Sequence, residues 1–384
     1  RRPPRSTLDR SSAASDVYKR QGNNGASAGY YTTRIGNPDA KWETSEQTNI
    51  GFDATLFNGK LDVIVDIWDK DTKDLLYEIQ LPGATGVGAS APAVNIATMS
   101  NSGIDMSFVH RGSLSGGELG YEVTLNASTL KNEIVSLAPG ITYFGGNTYR
   151  GNQYVRNAIG QPLSSFYLYK TDGYFDNQAE VDAHATQSGA GVGRFKYVDT
   201  DGNGEITPDD RQFVGSPVPD FTGGMNLNLS YGKWSLNAYL YASLGADILN
   251  HSKWYTGLFP SFEGAGKSVL AKQSWTPALG DNAGGPIWES ASNLSTNAGA
   301  NDWYMEDGSY LRIQNISLNY DFDRSLVEKI GIKDLRIGIS ANNIATFTKY
   351  SGQDPSIGGV DTNFGVDTGN YPVTPSYLSF NHCG

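Results

Sequence analysis

Alternation of apolar and polar residues is clearest over residues 221–244. Alternate positions carry large apolar side chains, Ala or Gly, and the positions between them carry mostly Asn, Ser, Thr, Gly and Tyr. Gly232 and Lys233 separate two arms of 11 residues each. Because a period of two places successive side chains on opposite faces of a strand, the segment predicts a hairpin whose two faces meet different surroundings.

Neither arm of this hairpin contains Asp, Glu, Lys or Arg. The wet face of a soluble sheet usually carries Lys and Glu, whereas Asn, Ser and Thr suit a narrow polar lumen. The length of each arm is also the length that a tilted strand needs to cross a bilayer. The hairpin therefore predicts two membrane strands with lipid on one side and a polar lumen on the other.

The same alternation recurs in six further segments, and Asn58-Gly59 predicts a tight turn between the first two. These segments are 49–56, 61–67, 104–108, 121–128, 316–322 and 335–342. We expect roughly ten to twelve strands in all. Since an open sheet edge cannot lie in lipid, the predicted fold is all-β: an antiparallel transmembrane β-barrel, complete and small or part of a larger one.

Composition narrows the class of protein. The chain has 384 residues with 38% hydrophobic content, and no apolar run reaches the 18 residues of a transmembrane helix. Its 46 Gly and 22 Tyr fit a barrel with glycine-rich loops and aromatic girdles. The net charge of −11 argues against nucleic acid as a partner. One cysteine, Cys383, excludes an internal disulfide framework and a cysteine-rich metal site.

Residues 1–21 differ from the rest of the chain. They are basic and rich in Ser and resemble translated adapter or vector sequence, so we leave them out of the predicted fold. A transit peptide would share this composition, although the rest of the chain does not support that alternative. Residues 22–384 are then the partial barrel, with long extracellular loops at about 138–219 and 247–307, because long segments without periodicity belong outside the membrane.

The first of these loops contains a metal-binding pattern. The run from Asp199 to Asp210 has oxygen-bearing side chains at positions 1, 3 and 5, Gly at position 6 and an acid at position 12, which is the spacing of a calcium loop. The candidate ligands are Asp199, Asp201, Asn203, Glu205 through its backbone carbonyl, and Asp210. Position 12 is Asp where Glu is usual, and no helices are predicted on either side. The alternative is an acidic surface turn.

Aromatic residues supply the second candidate site, for substrate. Their faces can stack on sugar rings, and the alternative is that they pack the loops together or form a girdle at the membrane surface. The candidates are Trp254, Tyr255, Trp275, Trp288 and Trp303 in the second loop, and Tyr239 and Tyr241 on the polar face of the hairpin.

An enzyme is not predicted. The four histidines lie in no recognised catalytic pattern, and the chain has no H-E-x-x-H or P-loop motif. Two alternatives to a membrane barrel stay open: a secreted soluble β-sandwich that binds carbohydrate through loop aromatics and holds a calcium loop, and, less strongly, a calcium-stabilised glycosidase.

Seven ordered blocks carry a resemblance to a known family. They are NPDAKWE (37–43) with NIGFD (49–53), TKDLL (72–76), NSGID (101–105), GSPVPDF (215–221), EDGSYLRI (306–313), NNI (342–344) and TKYSGQDP (348–355). In order and spacing, over about residues 30–380, they resemble the C-terminal half of the SusC/RagA-type TonB-linked outer-membrane transporters, also called TonB-dependent receptors. Such transporters often carry an Asp-, Asn- and Gly-rich segment where residues 199–210 lie.

The resemblance implies a 22-stranded barrel around an N-terminal plug, of which the plug is absent from this chain. It implies import of oligosaccharides or oligopeptides across the outer membrane of a Gram-negative cell. It also implies two partners, a SusD-like surface lipoprotein and the TonB complex, the latter acting through the missing N-terminal part. Family barrels end on a strand with a terminal aromatic residue; Tyr377 to Phe380 start such a strand, and we expect 381–384 not to complete it.

Overall fold

The computed structural model describes residues 36–78, 92–258, 266–289, 299–360, 362–369 and 377–383, and the backbone strands Asp16–Lys19 and Ala26–Gly29. Of Val360 and residues 377–383 it describes only the backbone. Most of the segment 1–21 therefore lies outside the described residues, and its foreign origin stays a prediction.

Nine long strands form one sheet, in which each strand pairs antiparallel with its neighbour along the chain. They are β1 (Thr44–Leu56), β2 (Leu61–Glu78), β3 (Ala93–Leu114), β4 (Leu119–Leu137), β5 (Phe221–Tyr231), β6 (Trp234–Leu244), β7 (Tyr310–Asp321), β8 (Arg336–Thr348) and β9 (Tyr377–Cys383). The spatial order is the sequence order, an up-and-down meander.

The register of the sheet follows the alternation in the sequence. Leu227 of β5 lies opposite Ala238 of β6 and Val123 of β4, so apolar residues share one face. On the other face, Asn228 lies opposite Asn237 and Glu122. A slip of one residue would exchange the two faces, which is why the pattern fixes the register.

Two details differ from the sequence-based expectations. The sheet has nine strands in the described residues where ten to twelve were expected, because the long connections hold only short strands. β9 also continues to Cys383, where it pairs with Arg336, although we expected residues 381–384 not to complete this strand. Backbone pairing with β8 extends it through residues that lack the expected side-chain pattern.

The apolar face of the sheet is uncovered. Ile50, Phe52 and Ile67 are 71%, 62% and 55% exposed. Among the described residues no second sheet of comparable size packs on it, so the two-layer core of a β-sandwich is missing. A continuous apolar surface of this size is not stable in water but suits lipid.

Connections of two kinds alternate along the meander. Those at one end of the sheet are mostly tight turns, 57–60, 115–118 and 232–233, with 322–335 as the longest. Those at the other end begin with 79–92, which has the same length as 322–335, and continue with three much longer connections, 138–220, 245–309 and 349–376. This is the arrangement of an outer-membrane barrel, in which the short turns face the periplasm and the long loops face outward.

Short elements fill the long connections. The helices are α1 (Gln178–Ala183), α2 (Ser252–Thr256) and, in the connection 322–335, α3 (Arg324–Val327). The short strands are Thr148–Tyr149, Asn152–Gln153, Phe166–Leu168, Thr171–Tyr174, Phe195–Tyr197, Gln212–Gly215, Asp247–Asn250, Met305–Asp307, Gly359–Val360, Asn363–Phe364 and Val366–Asp367. Single 3-10 turns lie at Ser115–Gly117, Pro208–Asp210, Val269–Gln273, Gly280–Asn282, Asp302–Tyr304 and Glu328–Ile330.

An arginine introduced in the middle of the apolar face tests whether that face lies against lipid. We expect Leu240→Arg to lower the free energy of unfolding in a bilayer by about 2–4 kcal/mol, because the guanidinium would enter hydrocarbon. Thr124→Arg is the matched control, since Thr124 belongs to the polar face, and we expect a much smaller loss. Denaturant titration of the protein in lipid vesicles measures both. Equal losses would contradict the assignment of the two faces.

Candidate functional site

The three long connections after β4, β6 and β8 share one hydrophobic core. The first contributes Tyr154, Val155, Phe166 and Leu168, the second contributes Leu249, Trp254, Leu258, Ala300 and Tyr304, and the third contributes Val366. The backbone joins them too, because Leu249 and Asn250 pair in parallel with Val366 and Asp367. The loops therefore form one packed cap on the long-connection end of the sheet.

Buried ion pairs also hold this cap in place. The Arg312 guanidinium of β7, 4% exposed, lies 2.6 Å from the Asp354 carboxylate of the third connection. Within the second connection, the Lys253 ammonium lies 2.9 Å from Glu306 Oε1, and Glu306 also accepts hydrogen bonds from the Ser351 amide and hydroxyl. Removing one partner of such a buried pair leaves an uncompensated charge, so these contacts fix the loops relative to the strands.

The tryptophans predicted to bind substrate lie in different environments. Trp254 and Trp275 are only 8% and 4% exposed. Trp254 belongs to the shared core, and Trp275 packs in a second core with Tyr174, Phe195 and Tyr197. Their burial favours the packing alternative.

Three other predicted aromatics keep an accessible surface. Trp288 is 40% exposed, and Tyr255 and Trp303 are half-buried. Part of Trp303 serves packing, because its indole N–H donates to the Gly284 carbonyl at 2.9 Å and the Lys253 ammonium lies 5.1 Å from its ring centroid. A substrate role for these three residues stays a prediction.

Tyr239 and Tyr241 lie on the polar face of β6, as the alternation predicts. They line a concavity of about 330 Å³ together with Asp66, Asp105, Asn126 and Thr222, among others. The Tyr239 ring lies against Gly224 of β5, where a Cβ would meet the ring at 3.1 Å. Gly224 therefore lets the ring lie close to the sheet, and a larger residue would push it away.

The acidic loop has the curled geometry that its spacing predicts. Carboxylate oxygens of Asp199, Asp201 and Asp210 lie within 4.8 Å of one another. Asp199 accepts hydrogen bonds from the Gly202 and Gly204 amides at 2.7 and 2.9 Å, and Asn203 donates to Asp201 at 2.8 Å. Glu205 pairs with Thr186 through its backbone. Such a cluster has the oxygen chemistry that a hard cation prefers, and its role as a metal site stays a prediction.

Asp210 is the buried member of this loop, with 0% exposure. Its carboxylate accepts hydrogen bonds from the backbone amides of Thr200 at 2.8 Å and Thr207 at 2.7 Å. Burial alone would raise the pKa of Asp210, but these hydrogen bonds outweigh burial and hold the pKa below its ordinary value of 3.8. The ionised carboxylate therefore closes the loop even without a cation.

His251 is a residue that the sequence analysis did not single out. It is 1% exposed, and the rings of Tyr149, Tyr154, Tyr255 and Tyr304 lie around it with centroids 5.4–6.3 Å away. Burial, followed by the nearby Arg150 cation, lowers the pKa of His251 to about 4, so the imidazole is neutral at physiological pH. No sequence signal marks it, since it follows a short aperiodic strand.

Among the residues that the structure describes, no helix is both long and apolar enough to cross a membrane.

The nine-stranded meander, its uncovered apolar face and its one-sided loop cap define the class: the wall of an outer-membrane β-barrel. A family model described as "TonB dependent receptor-like, beta-barrel" matches residues 4–344. The chain therefore belongs to the TonB-dependent receptor β-barrel family, whose members lie in the outer membrane, and the resemblance to SusC/RagA-type transporters is confirmed.

Relatives of known name support this assignment. The TonB-dependent receptor P3 of Formosa agariphila is 33% identical over 357 residues, which are 90% of this chain and 34% of that protein. SusC of Bacteroides thetaiotaomicron is 26% identical over 369 residues, 91% of this chain and 33% of SusC. A structure of the RagAB peptide transporter aligns with a TM-score of 0.74 at 22% identity, covering 96% of this chain and 38% of that one. The chain thus spans about a third of the length of these relatives.

Asp210→Asn tests whether the buried Asp210 carboxylate holds the acidic loop closed. We expect residues 199–210 of the variant to lose about 1–3 kcal/mol of local stability. The NH₂ group of Asn cannot accept the hydrogen bonds that backbone N–H groups donate to the Asp210 carboxylate. Hydrogen exchange of residues 199–210 measures this, with exposed Asp209→Asn as the control. Since folding lowers the pKa of Asp210, its stabilisation is present above pH 3.8 and is lost as the pH falls further. Equal protection of these amides from exchange in both variants would contradict the role of Asp210 in closing the loop.

Proposed function

We propose that this chain is the C-terminal barrel half of a TonB-dependent transporter that imports glycan or peptide fragments across the outer membrane. The observation that carries the proposal is the pairing of an uncovered apolar sheet face with a packed loop cap on one end only. A wall of this kind separates lipid from a polar lumen and presents its loops to the cell exterior. An enzymatic activity is not part of the proposal, because the family consists of receptors and transporters.

The partners proposed for the complete protein follow from the same family. RagAB is described as a peptide transporter, and SusC is a TonB-dependent receptor. By analogy, the cap would dock a SusD-like surface lipoprotein, and the TonB complex would act through an N-terminal part. The substrate would be an oligosaccharide or oligopeptide. The soluble carbohydrate-binding sandwich is disfavoured, because a soluble protein would have to cover the apolar face.

The polar concavity beside Tyr239 and Tyr241 would form part of the substrate path. The two phenol rings offer flat apolar surface, and Asn126, Thr222 and Ser128 around them offer hydrogen-bond donors and acceptors. This combination of a few aromatic surfaces with placed polar groups is typical of small-molecule sites.

Replacing both tyrosines by Ala tests this path. We expect substrate uptake by cells that carry the complete transporter to fall about tenfold, because the aromatic surface is lost while the strand pairing persists. Tyr231→Ala is the matched control, since Tyr231 lies on the apolar face at the short-turn end. Uptake unchanged in the double variant, with normal amounts of protein in the outer membrane, would contradict the proposed path.

We also propose that the acidic loop binds calcium as a structural ion. The support is the three carboxylates within 4.8 Å and the backbone turns at Gly202 and Gly204, both with positive φ. Asp201→Ala should weaken the affinity for calcium, measured by calorimetry, about tenfold or more, because one of few charged ligands is lost. Asp209→Ala is the control. An unchanged affinity would remove the calcium site.

A further inference from the structure

One face of the loop cap carries two arginines among aromatic rings. Its frame is the antiparallel pair Phe166–Leu168 and Gln212–Gly215, in which Phe213 lies opposite Tyr167 with ring centroids 5.0 Å apart. Side chains alternate along both strands, so Tyr169 and Arg211 lie on the same side as Tyr167 and Phe213. We call this surface the arginine face and define it by Tyr143, Arg156, Tyr167, Tyr169, Arg211 and Phe213.

The Arg156 guanidinium is sandwiched between two tyrosine rings. Its Cζ lies 4.0 Å from the ring centroid of Tyr143 and 3.8 Å from that of Tyr167. Tyr143 is 39% exposed, so the sandwich lies at the surface of the cap. Stacking covers the two flat faces of a guanidinium, so a ligand can be bound only through the N–H groups around its edge.

The Arg211 guanidinium is held in a related way. Its Cζ lies 4.8 Å from the ring centroid of Tyr169, which in turn stacks on Tyr197 at 4.8 Å. Among the described residues, the only hydrogen bond of this guanidinium is a long one, from Nη1 to the Gln153 carbonyl at 3.5 Å. The Nε atoms of Arg156 and Arg211 are both buried without an acceptor in the described part of the protein.

Neither arginine has a carboxylate partner among the described residues. Five other arginines do, among them Arg111, 2.6 Å from Asp62, Arg194, 2.7 Å from Glu289, and Arg312, 2.6 Å from Asp354. The chain as a whole is acidic, with a net charge of −11. Half-buried cations without a counter-charge cost free energy, and an anion that approaches them would recover it.

We propose that the arginine face binds an oxyanion group, a carboxylate or a sulfate ester, of an acidic saccharide. The planar fork of a guanidinium matches the paired oxygens of such groups, and partial burial strengthens the interaction. This inference rests on the proposed function insofar as the saccharide would be the imported substrate.

Two features favour a saccharide over an acidic peptide. Tyr167 and Phe213 add flat apolar surface beside the Arg156 sandwich, where a sugar ring can pack. An extended peptide is usually recognised by an exposed strand edge, through main-chain hydrogen bonds. The arginine face is built from side chains, so it offers a ligand guanidinium N–H groups and aromatic rings rather than main-chain hydrogen bonds.

The position of Arg211 is set by the neighbouring acidic loop. Asp210, whose carboxylate closes that loop, directly precedes Arg211 in the chain, and the 3-10 turn Pro208–Asp210 ends there. The Asp210 side chain is buried, whereas Arg211 is half-buried on the side of Tyr169. The loop therefore serves as a rigid support for one of the two cations.

Binding of inorganic sulfate tests the site directly. We expect the complete transporter, purified in detergent, to bind sulfate, measured by calorimetry at constant ionic strength in sodium chloride. Arg156→Gln with Arg211→Gln should weaken the affinity at least about tenfold. Arg156→Lys should also weaken it, because the charge stays but the planar fork is lost. Arg324→Gln, on α3 at the short-turn end, should leave it unchanged.

The variants also report whether the protein has folded. The Lys variant keeps the cation, so a normal melting temperature with weaker sulfate binding assigns the loss to the site. Equal sulfate affinity in the parent, the double variant and the Arg324 variant would overturn the proposal. Transport is not measured, so a failure here is distinguishable from a failure of the proposed import function.

Competition identifies the class of ligand. We expect glucuronate to displace sulfate at lower concentration than N-acetylglutamate, because only the former adds a sugar ring to the carboxylate. Glucose, which has the ring without the charge, should not displace sulfate. Stronger displacement by N-acetylglutamate would overturn the saccharide assignment and point to acidic peptides.

Discussion

Lipid cannot hydrogen-bond to the backbone, and this constraint organises the whole molecule. Each long strand pairs with its neighbours in the chain, so the inner strands of the meander use their amides and carbonyls between strands, while β1 and β9 have a paired neighbour on one side only among the described residues. The side chains then need only to separate lipid from lumen, which they do by simple alternation. On the polar face of β5 and β6, uncharged Gly, Asn, Ser, Thr and Tyr suffice, because a shared lumen hydrates them.

The cap depends on the same constraint. Because every long connection leaves from one end of the sheet, aperiodic segments from distant parts of the sequence meet there. Leu249 and Val366, more than a hundred residues apart, pair in parallel inside it. A core built from three loops can be rigid while its outer surface varies freely.

Much of the sheet could be predicted from the sequence, and little of the cap. The strands at 221–231 and 234–244 can be predicted from period-two alternation, which depends only on neighbouring residues. The burial of Trp254 and Trp275 could not be predicted, because it results from contacts with segments far away in the chain. The curl of the acidic loop was visible as spacing, whereas the stacking of Arg156 between Tyr143 and Tyr167 has no local signature. Periodicity predicts elements, and it does not predict how irregular loops meet.

β5 and β6 separate lipid from a polar lumen, and site-directed spin labelling tests this separation most directly. Single cysteines at positions 222–230, in a background with Cys383 replaced, would carry nitroxide labels in the protein reconstituted in bilayers. We expect labels at odd positions such as Leu227 to be relaxed mainly by oxygen dissolved in lipid, and labels at even positions such as Asn226 mainly by water-soluble nickel complexes. Loss of this alternation, with every label accessible to nickel, would contradict this separation.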